Sequence, residues 1–373
     1  MEELKELTEG VPEVELQEFE TLQEFAKAAK ENLDQNAWDY LFGAAETETT
    51  CRRNRQALDT LAFRPRVLRD VEHVEVGTEF LGAKLRLPVV LAPIGSMQDF
   101  NEEAGAAPTK AAAEYGCLHM LSSVCAPGLE AVAAAAPDYP KIFQLYVRGD
   151  ADFIDDHVKR AMDNGYVGFA FTIDLDYYSR RERDLAKRFV TTGRKLAGYN
   201  EEHQKRFTWD DVKRVQDKFD MPIILKGIAT AEDAAMAVEN GIDVVYVSNH
   251  GGRQLDHGRG GLDVLPEVVK AVDGKAKVMF DGGIMRGADL VKAMALGADA
   301  VGMGRFQGMA VAAGGAPALV RALEILESEV RAAMGMLGVT SYAELDASYL
   351  HPDAIEVREP HVLSCFPLIE EGY

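Results

Sequence analysis

Short uninterrupted apolar runs recur along most of the chain: VVLAPI (89–94), CLHMLSS (117–123), KIFQLYV (141–147), GFAFTID (168–174), PIILKGI (222–228), DVVYVSNH (243–250), KVMFDGGI (277–284) and AVGMGR (300–305). Between most of them lie Ala-, Glu- and Lys-rich segments of helical character, such as AEDAAMAVENG and RGADLVKAMALG. Continuous apolar strands alternating with helices imply a parallel sheet covered on both faces. Eight such runs predict an α/β fold, a closed (β/α)8 TIM barrel with strands from about 89 to 305; an open doubly wound sheet is the rival. Upstream, Thr21 with Glu24 forms a capping-box pattern. The segment after it, LQEFAKAAKENLDQNAWDYLFGAA, places Phe25, Ala28, Ala29, Leu33 and Trp38 close to helical spacing. Residues 61–88 alternate apolar and polar around Gly77 and Gly82, which reads as a short hairpin or lid. The chain is therefore expected to be one barrel domain over 21–373 with an N-terminal helical and hairpin extension. Residues 1–20, acidic and carrying Pro12, read as a loosely attached arm.

Charge narrows the partners. The chain of 373 residues has 40 Lys plus Arg against 61 Asp plus Glu, a formal net charge of −21. A phosphate-backbone binder needs a basic footprint, so no nucleic-acid partner is expected, and contact with anionic membranes is disfavoured. Cys51, Cys117, Cys125 and Cys365 show no CxxC spacing. That gives no metal site and fits a reducing, cytoplasmic compartment. The N-terminus, MEELKELTEGVPEVELQ, lacks the basic start and apolar stretch of a signal peptide. No run reaches ~18 apolar residues, so no spanning helix is expected.

Barrel enzymes work at the C-terminal ends of their strands, with a phosphate site after strands 7 and 8. Here those ends read Pro93-Ile94-Gly95, Ser122-Ser123, Gln144 and Tyr146, Thr172 and Asp174, Lys226-Gly227, Asn249 through Arg253, Asp281-Gly282-Gly283, and Gly304-Arg305. That is more functional-group density than strand ends need for stability. Gly282-Gly283 and Gly304-Arg305 fit a phosphate cradle of backbone N–H groups with an arginine; tight turns alone would also use these glycines. His250, followed by Gly251, Gly252 and Arg253, pairs a base with a cation, as proton removal from an anionic substrate requires. Asp174 can orient its imidazole. His73, His157 and His203 have no such setting and read as ordinary structural or solvated histidines. The run SRRERD is either a solvated charged face or a source of a carboxylate-gripping arginine. Lys226 closes an apolar strand where a neutral residue would serve, which points to a functional ammonium.

The segment SNHGGRQLD (248–256) resembles the signature of the FMN-dependent 2-hydroxy acid dehydrogenases and oxidases, the family of glycolate oxidase, lactate oxidase and mandelate dehydrogenase. DYLFGAAE, FRPRVLRDV, LAPIGSMQ, FQLYV, FTIDLDYYSRRERD, ILKGI and DGGIMRGADLVKAMALGADAVGMGR agree in order, over roughly residues 20–345. The resemblance implies FMN as cofactor and oxidation of a 2-hydroxy acid to the 2-oxo acid, with His250 as base and flavin N5 as hydride acceptor. It implies that Asp174 partners His250. Arg253 and Arg181 hold the substrate carboxylate with help from Tyr40, and Tyr146 bonds the substrate hydroxyl. Lys226 lies beside flavin N1 and O2. Pro93, Ile94, Gly95, Ser122, Gln144, Thr172 and Ser248 contact the flavin. Asp281, Gly283, Arg286, Gly304 and Arg305 serve the phosphate. A homo-oligomer, a tetramer, is implied as well.

Departures from the family pattern bear on the substrate. Ile94 stands where a threonine is common, and Met285 replaces the first arginine of DGGxRRG, leaving Arg286. Leu175-Asp176 replaces Thr-Pro, Val124 an aromatic residue, and Phe306-Gln307 a segment beginning with proline. The segment from Phe189 to Trp209 is short for the family. Gly95, often alanine in oxidases, leans toward an electron acceptor other than oxygen. Asp176 and the short segment keep a second reading open, a family member turned to another α-substituted substrate such as an amine or a peptide-derived group.

Overall fold

A computed structural model describes residues 18–198, 201–355 and 359–371. Residues 1–17 of the acidic arm lie outside them; Phe19, at its end, is buried and stacks on Phe25 with ring centroids 4.3 Å apart.

Eight parallel strands close on themselves: β1 (Val89–Leu91), β2 (Leu118–Ser122), β3 (Lys141–Leu145), β4 (Tyr166–Thr172), β5 (Ile223–Ile228), β6 (Val244–Val247), β7 (Lys277–Phe280) and β8 (Ala300–Met303). Each coincides with one of the eight apolar runs. Closure comes from β8 pairing with β1, in the register Val301–Val89, Gly302–Val90, Met303–Leu91, which excludes the open sheet. The strands are buried almost throughout because helices cover the outside while side chains fill the interior.

Among the described residues three helices precede the barrel: α1 (Leu22–Asn32), α2 (Gln35–Phe42) and α3 (Thr49–Asp59). The Thr21–Glu24 capping box is present. The single helix expected across this region is broken at Leu33-Asp34, because the Asp34 carboxylate accepts the Ala37 N–H at 2.7 Å and starts a new helix. The expected hairpin forms from Thr78–Phe80 and Ala83–Leu85. It is no lid over the strand ends: Phe80, Ala83 and Leu85 pack with Val90, Leu118, Ile142 and Val244 at the starts of the strands, and so close the floor of the barrel.

The last long helix, Arg305–Leu337, is kinked at Gly314-Gly315 and packs against α1. It is long and apolar enough to span a bilayer by composition alone, but 72% of that apolar window is buried inside the protein, as in a core helix.

Candidate active site

The strand ends open into one cleft, with an empty volume of about 1370 Å³ including its mouth. Tyr40, Pro93, Ile94 and Gly95 line one part of it. Tyr146, Arg181, Lys226, His250 and Arg253 line another, and Asp281, Gly283, Gly304 and Arg305 the part over β7 and β8.

His250 is fixed on both sides. Its Nδ1 lies 2.9 Å from Asp174 Oδ1, and its Nε2 lies 3.4 Å from the Tyr146 hydroxyl. Asp174 stays ionised: burial alone would raise its carboxyl, but the His250 imidazole and the Lys226 ammonium outweigh burial and hold it below its ordinary range. Burial pushes His250 below its ordinary value, and Lys226 and Arg181 add to this against the pull of Asp174. A neutral imidazole whose Nδ1–H is held by a carboxylate presents Nε2 as a base. The backbone here is unusual. His250 has φ 58° and is followed by Gly251 (φ 66°) and Gly252 (φ 77°). A side chain at Gly252 would put its Cβ 2.5 Å from the Cys51 backbone N, and one at Gly251 would put it 2.7 Å from Arg305 Nη1. Both glycines are therefore needed for the close approach, and the left-handed His250 is the strained residue of the turn.

Arg253 and Arg181, the arginines expected to hold the substrate carboxylate, are held without being neutralised. Arg253 Nη1 donates to the carbonyls of Tyr40 (2.6 Å) and Gly43 (2.9 Å), the free C-terminal carbonyls of α2. Its guanidinium also stacks on the Tyr40 ring at 4.6 Å. Arg181 reaches Gln254 Oε1 at 3.5 Å and lies over the Tyr178 ring at 4.5 Å. Neither forms an ion pair among the described residues. Burial, with Arg181 next to it, lowers the Arg253 pKa to about 10, still charged at neutral pH. The run SRRERD thus serves more than one purpose. Arg181 enters the cleft, Arg183 pairs with Glu48 at 2.6 Å, and Arg180 is exposed.

Beneath the cleft lies a polar network. Lys226 Nζ donates to Ser248 Oγ (3.1 Å), Ser248 Oγ donates to Asp281 Oδ1 (2.6 Å), and Tyr246 OH donates to Asp281 Oδ2 (2.8 Å). Asp281 therefore supports Lys226, 4.0 Å away, and it also lines the cleft beside Gly283, Gly304 and Arg305. The expected place of Arg286 at the phosphate site is corrected: its backbone stands at the N-cap of the helix Gly287–Ala295, and its side chain pairs with Glu329 at 2.5 Å and donates to Cys365 O, away from the cleft. Met285 takes the cleft position in its place. Arg305 does face the cleft, anchored on the carbonyls of Gly251 (2.8 Å), Gly43 (2.8 Å) and Phe42 (3.2 Å). Asp176 is exposed and off the cleft, whereas Leu175 and Val124 line it.

Sequence reasoning missed three supports. Gln254 lies inside SNHGGRQLD and ties Arg181 to the carbonyls of Asp174 and Tyr177. Tyr178 is sandwiched between Arg181 and Arg194, the latter 3.9 Å from its ring. Tyr246 lies within an apolar run, where only its hydroxyl distinguishes it from a core aromatic.

A family model described as FMN-dependent dehydrogenase matches residues 29–352. The chain belongs to that family. It is 37% identical over 353 residues to an L-lactate oxidase of Nostoc sp. (88% of this chain, 97% of the relative). It is 35% identical over 368 residues to glycolate oxidase 3 of Arabidopsis thaliana (93% and 99%). The crystal structure of a mandelate oxidase superposes with a TM-score of 0.83 at 36% identity, covering 90% of this chain and 100% of that one. The chain is thus an FMN-dependent oxidoreductase that takes 2-hydroxy acids to 2-oxo acids.

The residues present fit FMN. Gln144, wholly buried, leaves both amide atoms without a partner, and Thr172 Oγ1 is buried and unpartnered beside it on β4. Buried polar groups are rarely left so; a ring with donors and acceptors on its edge would satisfy them. Lys226, which lines the cleft, would supply a cation beside the ring. Gly304, Arg305 and the free N–H groups of the helix beginning at Arg305 suit a phosphate.

Proposed function

We propose that His250 takes the hydroxyl proton of a 2-hydroxy acid at Nε2 while Arg253 and Arg181 grip its carboxylate. Tyr40 and Tyr146 orient the carboxylate and hydroxyl ends, and Asp174 stabilises the imidazolium that forms. FMN, when bound, accepts the two electrons lost by the α-carbon. One observation carries this reading: a half-buried imidazole held between Asp174 and Tyr146 shares its cleft with the buried guanidinium of Arg181 and the half-buried one of Arg253, neither of which has an acid partner among the described residues. Placing a carboxylate on both arginines fixes the α-carbon, and this positioning is part of the rate.

The reading with an amine or peptide-derived substrate loses its main support, since Asp176 lies off the cleft. The relatives named lactate, glycolate and mandelate oxidase support oxygen as acceptor over the alternative that Gly95 suggested. The tetramer that the family resemblance implies stays a proposal, with the exposed apolar pair Val67 and Leu68, on the loop before the hairpin, as side chains a partner copy would cover. A cytoplasmic setting is supported by four unpaired cysteines.

The test is anaerobic mixing of the holoenzyme with lactate, glycolate and mandelate while the flavin absorbance is followed. Bleaching by at least one acid is expected in the wild type and is lost in His250→Ala with flavin still bound. Bleaching of His250→Ala at the wild-type rate overturns the assignment.

A further inference from the structure

Among the described residues six cations line the cleft: Arg148, Arg181, Arg194, Lys226, Arg253 and Arg305. In a chain of net charge −21 that concentration is selective. Five have an assignment. Lys226 and Arg305 face the cofactor, Arg181 and Arg253 form the clamp, and Arg194 is paired with Glu201 at 3.0 Å. Arg148 remains. Its Nη1 donates to the Leu196 carbonyl at 3.3 Å, and its guanidinium lies 5.9 Å from the Phe153 ring centre. Its Nε is buried with no partner, and no carboxylate pairs with it among the described residues. Burial accordingly pushes its pKa down, with nothing opposing.

The position of Arg148 follows from β3. It lies two residues beyond Tyr146 in the segment that leaves that strand. Tyr146, Val147 and Arg148 all line the cleft, and the buried Val147 also ties its N–H to Gln204. The Cα atoms of Tyr146 and Arg148 are at most about 7 Å apart. Tyr146 touches His250, so Arg148 lies a few carbon atoms further from the reacting centre. Val124 and Leu175 line the same cleft and give a run of methylenes an apolar wall.

We propose that Arg148 is a second anion receptor, and that the preferred substrates are 2-hydroxy acids with a second anionic group at the far end of a short chain. The proposal rests on the clamp assigned above to Arg181 and Arg253. A terminal carboxylate and a terminal phosphate ester share the chemistry that a guanidinium fork recognises.

Anaerobic flavin reduction by the holoenzyme tests it. The substrates are 2-hydroxybutyrate, 2-hydroxysuccinate, 2-hydroxyglutarate, the 5-amide of 2-hydroxyglutarate and 2-hydroxy-3-phosphopropanoate. The wild type is expected to prefer at least one doubly anionic acid, with kcat/KM for 2-hydroxyglutarate about 10- to 100-fold above its amide if the second group is a carboxylate. A preference confined to the phosphate ester identifies that source instead. Arg148→Leu should collapse the ratio toward one, mostly through KM, and Arg148→Lys should keep part of it. Calorimetric titration with 2-oxoglutarate and 2-oxobutyrate, which need no turnover, should show the same loss of preference.

A wild-type enzyme that favours neither the diacids nor the phosphate ester over neutral analogues overturns the proposal without needing any variant. So does Arg148→Leu slowing acid and amide equally, which would make Arg148 only a tie to Leu196. Failure of every acid to bleach the flavin overturns the clamp instead.

Discussion

Replacing Asp174 by asparagine tests how His250 is made a base. The change keeps the shape of the side chain and removes its charge, 2.9 Å from a buried imidazole nitrogen. In the wild type, burial lowers the His250 pKa and Asp174 pulls it back up. The neutral amide of Asp174→Asn ends that pull, so the imidazole becomes a weaker base and the imidazolium formed during turnover loses its counter-charge. A hydrogen bond to a charged group contributes about 1.5–3 kcal/mol, which corresponds to a loss of about 10- to 150-fold in rate. Two unit charges ~4 Å apart at an effective dielectric near 20 interact by about 4 kcal/mol, which sets a ceiling near 10³-fold.

The sign of the pH effect is as informative as the size. The base works when neutral, so kcat/KM falls as pH drops through the His250 pKa, which lies below its ordinary value. In Asp174→Asn that acid limb should move to still lower pH while the plateau drops by about two orders of magnitude. Stopped-flow flavin reduction from pH 4.5 to 9 measures both. A limb that stays in place or moves up, or a plateau within threefold of wild type, would refute this account of the Asp174–His250 pair.

Three further outcomes follow from the same geometry. Arg253→Lys keeps a charge but cannot reach both α2 carbonyls and the substrate, so steady-state kinetics should show KM raised about 10-fold or more together with a lower kcat. Gly95→Ala places a Cβ 2.7 Å from Val124 Cγ2, a stiff β-branched neighbour; FMN affinity, read by flavin fluorescence on dilution, should fall and recover in Gly95→Ala/Val124→Ala. Arg305→Ala should release FMN far more readily than Arg286→Ala, because only Arg305 faces the cleft, and Met285→Arg should tighten FMN binding in the same assay.

The barrel was legible in the sequence because each strand is buried on both faces and so appears as an uninterrupted apolar run. His250, Asp174, Arg253, Tyr146 and Lys226 were legible because polar groups stand out where such runs end, whereas Arg181, seven residues past its run, was singled out only by the family resemblance. Less local features were not. The break at Asp34 depends on one side chain choosing to cap instead of continuing a helix. The hairpin's alternation marks a strand with one buried face, but not which end of the barrel that face covers. Asp281 and Arg286 fall within a motif that suggested phosphate, yet their partners, Tyr246 and Glu329, are 35 and 43 residues away. Arg148 carried no signal at all beyond lying two residues past Tyr146.

The N-terminal extension is part of the active site, and the physics of helix ends explains how. The last carbonyls of α2 have no partner within their own helix. Those of Tyr40, Phe42 and Gly43 accept from Arg253 and Arg305, one guanidinium on the substrate side and one on the phosphate side. Carboxylates would have held these arginines as firmly but would have neutralised them. Carbonyls satisfy the geometry and leave nearly a full positive charge in a buried cleft, where an anion gains most from meeting it. Arg253 shows the cost, with a pKa drawn down to about 10 by burial and by Arg181. In the proposed complex a substrate carboxylate would relieve that repulsion, so the binding energy of the anion and the orientation of its α-carbon would come from the same two side chains.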